Sequence, residues 1–160
     1  MALNVALIEP RIPPNTGNIA RLCAATDTPL HLIGPLGFTI DDAEVRRAGL
    51  DYWPQVDLWM HADWFAFRDV MARERCLYFS ANAERDYRAA PFRPGRVLVF
   101  GNETEGMPPR ILEKYPERCF RIPMPGDVRS LNLANAVSVV LYEGLRQLGL
   151  TLPAGLAADS

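Results

Sequence analysis

Short apolar runs alternate along this chain with longer stretches whose apolar residues recur at helical spacing. Residues 4–9 hold a short apolar run, Val5 to Ile8, and suit a buried strand. A proline-rich loop over 10–14 leads to a helix opening at 15–21, with Asn15 or Thr16 as its cap. Ile19, Leu22, Cys23 and Thr26 form its inner face. Residues 30–34 read as the next strand, giving a β-α-β start, and 41–48 as a short polar helix capped by Asp41 or Asp42. A strand over 56–60 and a helix over 62–74, with Trp64, Phe65 and Phe67, precede a strand over 76–80. The polar stretch 81–95, broken by Pro91 and Pro94, reads as a surface loop with room for one short strand. Residues 96–101 are the clearest central strand. A glycine-flanked loop follows, then a helix from Pro108 to about Lys114 and a last strand over 118–122.

The segment 121–143 is the most informative. Pro123 and Pro125 hold the residues before them extended, and Gly126-Asp127 permits a sharp turn. From 131 to 148 a helix is apolar on most of its circumference, so it needs partners on more than one side: its own sheet, and a second surface such as another subunit. Strands alternating with helices predict an α/β fold, a mainly parallel sheet with helices on both faces, whose ligands sit outside the carboxyl ends of strands. Residues 1–150 form one domain and 151–160 a frayed tail.

Composition changes this picture little. An apolar content of 49% and a charged content of 22% are ordinary for a globular domain. No apolar run reaches membrane-spanning length and no signal-type core opens the chain, so the expected location is cytoplasmic, with no membrane partner. Cys23, Cys76 and Cys119 lie far apart, which suits reduced, buried thiols. His31 and His61 have no further ligand at metal spacing, so no metal site is expected. A net charge of −2 disfavours a generic nucleic-acid coat, yet 16 of the 17 basic residues are arginines, the better fork for phosphate. An arginine-rich genome would produce the same bias.

Phosphate-loop, dinucleotide and serine-elbow motifs are all missing. Three other motifs stand out, each with an ordinary reading beside a functional one. Asn15-x-Gly17-Asn18-x-x-Arg21 is either a capped helix start or a site where helix N–H groups and Arg21 meet phosphate or ribose. Phe100-Gly101-Asn102-Glu103-Thr104-Glu105-Gly106 is either a turn or a loop whose glycines let backbone approach a ligand. Ser130-Leu131-Asn132 fits simple capping of the long helix by Ser130.

Together, in this order and spacing, Asn15-x-Gly17-Asn18-x-x-Arg21, Phe100-Gly101-x-Glu103-x-x-Gly106 and Ile122-Pro123-Met124…Ser130-Leu131-Asn132-Leu133-x-Asn135 resemble the three motifs of the SPOUT methyltransferases. The resemblance covers almost the whole chain. Glu9-Pro10-x-Ile12-Pro13-Pro14-Asn15, Arg46-Arg47-Ala48-Gly49-Leu50-Asp51-Tyr52 and Tyr142-Glu143 are similar to the TrmL (YibK) group, which methylates the ribose 2′-hydroxyl of the tRNA wobble nucleotide, cytidine or modified uridine. A 2′-O-methyltransferase for another tRNA or ribosomal RNA site would carry the same motifs, and a non-catalytic RNA-binding factor can share the fold.

The resemblance implies a carboxyl-terminal trefoil knot, a homodimer, a tRNA substrate and S-adenosylmethionine as cofactor. It places Phe79, Ser80, Gly101, Glu103, Ile122, Met124, Ser130 and Leu131 around that cofactor. Phe79 departs from the family's smaller aliphatic residue and Asn102 from a proline. It also implies catalytic roles for Arg21, Asn15, Ser130, Asn132 and Tyr142, with Arg21 as the family's proposed base. A guanidinium does not deprotonate near neutral pH, so a phosphate clamp that orients the hydroxyl is the better physical reading, and the proton acceptor stays open. Arg11, Arg46, Arg47 and Arg129 are the expected RNA contacts, against the plain alternative of solvated surface charge.

Overall fold

A computed structural model describes residues 3–40 and 53–150, together with Ala43 and Arg47. The helix expected over 41–48 (apart from those two positions), the Arg46 contact and the tail from 151 lie outside the described residues.

Seven strands form one sheet: β1 (Asn4–Ile8), β2 (Leu30–Ile33), β3 (Leu58–His61), β4 (Cys76–Phe79), β5 (Arg85–Asp86), β6 (Val97–Phe100) and β7 (Cys119–Arg121). Their order is β3-β2-β1-β6-β4-β7-β5, and every pairing is parallel. β6 is the middle strand and is buried throughout, as its unbroken apolar run predicts. Successive residues alternate between two cores. Val5, Leu7, Leu98 and Phe100 face one side with α1 (Pro13–Ala25) and α4 (Leu133–Gln147). Ala6, Ile8, Val97 and Val99 face the other, with Phe67 of α2 (Trp64–Val70) and Ile111 of α3 (Pro109–Lys114). The pairs Leu7↔Phe100 and Phe79↔Phe100 bring the carboxyl ends of β1, β6 and β4 level. The loops after these strands therefore leave from one edge.

Several expected boundaries and caps need correction. α1 begins at Pro13 with prolines in its first turn and Ile12 at the cap, and no side chain caps it. Neither Asn15 nor Thr16 does so. The cap of α4 is Asn132, whose side chain accepts from Asn135 N at 3.2 Å, so Ser130 lies outside the helix. The helix expected over 62–74 is the short α2, capped by Asp63, because Met71 turns extended and buries its side chain. Stretch 81–95 is not simply surface. Ala83, Ala90 and Phe92 are buried, and Phe92 stacks on Phe79 with ring centroids 6.3 Å apart. α4 runs directly beneath it: a Cβ on Gly144 would fall 2.7 Å from Phe92 Cδ1 and 2.8 Å from Leu3 Cδ1. The three cysteines are free and buried, and burial pushes the Cys23 thiol up to about 12.

The two histidines meet, which their spacing does not suggest. His31 Nε2–H donates to Asn4 Oδ1 (3.1 Å), so His31 Nδ1 must accept from His61 Nε2–H (3.0 Å). Both rings are neutral in this chain of bonds. Burial first, then the charges of His61 and Arg75, pull His31 from its ordinary 6.5 down to about 4. The unfolded chain thus binds the extra proton first. The contribution is complete above pH 6.5 and is lost as pH falls through that value towards 4, a span worth about 3 kcal/mol. Urea midpoints measured from pH 7 to 4 should fall more steeply for the wild type than for His31→Gln. Parallel profiles would contradict it.

Candidate active site

The loops leaving the carboxyl edge enclose a cleft of about 520 Å³, within the usual range for small-molecule sites. Its walls are the loop after β4, the loop 101–107 after β6, the segment 122–132 and the first turn of α4.

The middle loop is shaped by its backbone. A Cβ on Gly101 would lie 2.2 Å from Gly106 C and 2.3 Å from Met107 N, so only glycine fits there. Gly106 has φ +69°, the left-handed region. Asn102 closes the turn: its Oδ1 accepts from Thr104 N (3.0 Å) and Glu105 N (2.7 Å).

Glu103 ties this loop to the rest. Its carboxylate accepts from Arg11 N (2.9 Å), Ile12 N (2.7 Å) and Asn15 Nδ2 (3.2 Å), at the amino end of α1 where negative charge is favoured. Asn15 Oδ1 in turn accepts from Asn132 Nδ2 at 3.0 Å, and Asn132 caps α4. One chain of side-chain hydrogen bonds thus joins all three motifs, and it explains why buried Asn15 does not cap its own helix.

Phe79, Ser80, Gly101, Glu103, Ile122, Met124, Ser130 and Leu131 all line the cleft, as do Asn15, Asn132 and Arg129. Phe79 is 6% exposed and stacks on Phe100 at 5.3 Å, so it serves the core while its edge meets the cleft. Arg21 is exposed on α1 and does not line the cleft; Tyr142 is 47% exposed on α4 and does not either. Arg11 pairs with Glu105 at 3.4 Å on the surface, and Arg47 is exposed. Sequence reasoning missed Ile12, Asn82 and Ala136 on the cleft wall, and the structural part of Asn102. Among the described residues no three His, Cys, Asp or Glu side chains stand together as a metal site. No helix among them is long and apolar enough to cross a membrane.

The SpoU rRNA Methylase family matches residues 2–142. The chain is 48% identical, over 91% of its length and 96% of the relative's, to a tRNA (cytidine(34)-2'-O)-methyltransferase of Burkholderia pseudomallei. It is 49% identical to the protein of that name in Escherichia coli K12, over 92% of this chain and 94% of that one. Among solved structures, one described as structural insights into the 2-OH methylation of C/U34 on tRNA shares 48% identity over 92% of this chain and 96% of that one, with a TM-score of 0.85. The SpoU methyltransferase AviRb from Streptomyces viridochromogenes, in complex with AdoMet, is 26% identical over 92% of this chain and 60% of that one, at a TM-score of 0.81.

Proposed function

The chain belongs to the SpoU rRNA methylase family, and from that premise we propose that it methylates the ribose 2′-hydroxyl of the wobble nucleotide in the tRNA anticodon loop, using S-adenosylmethionine. The observation that carries this is the bonded chain Glu103–Asn15–Asn132. It holds the three motif loops around one cleft, in a protein close to half identical to cytidine(34) 2′-O-methyltransferases along nearly their whole length.

The residues present fit the cofactor. Ile122, Met124, Leu131 and the edge of Phe79 offer apolar walls to adenine, and the backbone of 101–107 offers polar edges. When bound, the cofactor supplies an activated sulfonium methyl group. That methyl group would be the one passed to a ribose 2′-hydroxyl held in line with it. Alignment is therefore the protein's main task. Ser130, Asn15 and Asn132, at the cleft, orient the reacting groups. Arg21, outside it, clamps the neighbouring phosphate. Arg129 at the rim, with Arg11, Arg46 and Arg47, contacts the RNA; the surface pair of Arg11 with Glu105 is weak enough to exchange for phosphate.

The native unit is a cytoplasmic homodimer of a single domain. Val139 (39% exposed) and Tyr142 form an apolar face on α4 that a second copy would cover, with Tyr142 reaching the site across that contact. The carboxyl-terminal segment is threaded as a trefoil knot. Supporting this, α4 passes beneath Phe92, and Gln147 Nε2 donates to Arg88 O at 3.0 Å.

The family's description as an rRNA methylase favours a second substrate reading, a ribosomal RNA ribose. Transfer of labelled methyl to bulk tRNA, followed by mapping, separates them. Label at the wobble ribose is the expected result; label only on ribosomal RNA would replace the substrate and keep the chemistry.

A further inference from the structure

At the edge of the sheet opposite the cleft, Arg75, Arg96 and Arg118 immediately precede the adjacent strands β4, β6 and β7. Cys76 pairs with Val97, which sets Arg75 and Arg96 level, and Tyr78 pairs with Cys119, which sets Arg118 two residues further along on the other side of β4, so the parallel register gathers the three arginines around the start of β4. Arg73 and Arg93, both exposed, flank them. Backbone carbonyls hold two of the half-buried guanidinium groups. Arg75 Nε donates to Gly95 O at 2.8 Å, and Arg118 Nη1 to Arg73 O at 3.0 Å and Cys76 O at 3.4 Å.

Among the described residues none of these groups has an ion-pair partner. The ion pairs among the described residues join Arg11 to Glu105, Arg88 to Asp86 and Arg146 to Glu143, and none involves these five arginines. Glu74 and Glu117 stand in the same turns without pairing to them. Arg96 feels the crowding: its charge is disfavoured by burial first, then by Arg118 and Arg93. A chain of net charge −2 has carboxylates to spare, so uncompensated repulsion here serves something other than folding.

We propose that this arginine cluster is a second RNA contact, taking phosphates of the substrate outside the nucleotide being methylated. The inference rests on the RNA methyltransferase reading above. Planar guanidinium forks match phosphate oxygens, and a polyanion supplies the missing counter-charge. The four residues of β4 separate the two edges by about 13 Å, a small distance beside the about 16 bp that one small RNA-binding domain spans.

The test is Arg73→Gln with Arg93→Gln, since neither side chain holds a backbone carbonyl. Binding of full-length tRNA and of an isolated anticodon stem-loop is measured over a salt series, alongside methyl transfer. The double variant should bind full-length tRNA about 10-fold less tightly at low salt, with a salt slope shallower by about 1 to 2. Stem-loop affinity and turnover at saturation should stay as in the wild type. An unchanged slope and affinity for full-length tRNA would overturn the second contact. Wild-type protein run in parallel separates the two readings: no transfer by it to any RNA sinks both, whereas normal transfer with an unaltered slope sinks only this one.

Discussion

Arg21→Ala is expected to lose methyl transfer by about 100-fold or more while binding S-adenosylmethionine normally. Arg21 is exposed on α1, six residues beyond Asn15, and does not line the cleft. Its removal takes nothing from the cofactor walls or from the Glu103–Asn15–Asn132 bonds. What goes is a cation able to grip the phosphate beside the reacting ribose, and with it the alignment of the hydroxyl. Arg21→Lys should recover only part of the rate, because an ammonium is a point charge without the planar fork. Calorimetric titration with the cofactor, thermal melting and single-turnover transfer together check this. Turnover near wild type in Arg21→Ala would take the residue out of the mechanism.

Gly101→Ala should damage binding and fold together. The added methyl would sit 2.2 Å from Gly106 C and 2.3 Å from Met107 N, and both are backbone atoms that cannot swing aside. The loop 101–107 must open, at a cost of about 3 kcal/mol or more by comparison with overpacked cores. That opening pulls on the Asn102 turn and displaces Glu103 from the amino end of α1. Cofactor affinity should fall below detection, with a clearly lower urea midpoint. Gly126→Ala is the control, since nothing lies within 4 Å of its hypothetical Cβ. A Gly101→Ala protein that binds cofactor like the wild type would show that the loop yields more easily than its geometry implies.

The parallel sheet was legible because its evidence is local. Unbroken runs such as Val97–Phe100 admit few readings, and the residues expected at the cofactor do share one cleft. The misreadings came where a side chain's partner lies far along the chain. Asn15 resembles a helix cap until Glu103, 88 residues away, and Asn132, 117 away, claim its amide. Pro13, already locked in helical φ, starts α1 without any cap. Stretch 81–95 looks polar by composition, yet Phe92 is held by Phe79 and by α4, neither of which is its neighbour in sequence. The meeting of His31 and His61 is likewise set by the pairing of β2 with β3, through Ile33↔His61, rather than by spacing.

The chain of bonds through Asn15 also bears on when the enzyme becomes competent during its synthesis. Its three members are drawn from the beginning, the middle and the last quarter of the polypeptide. Contacts of such separation are made late, after the entropy of closing long loops has been met. A ribosome-bound chain lacking Asn132 can build β1, α1 and β6 and bond Asn15 to Glu103, but it leaves Asn15 Oδ1 without its donor and the cleft without its third wall. Competence therefore comes as a late event, since the cleft closes only when the segment 122–132 and Asn132 join the two loops already in place.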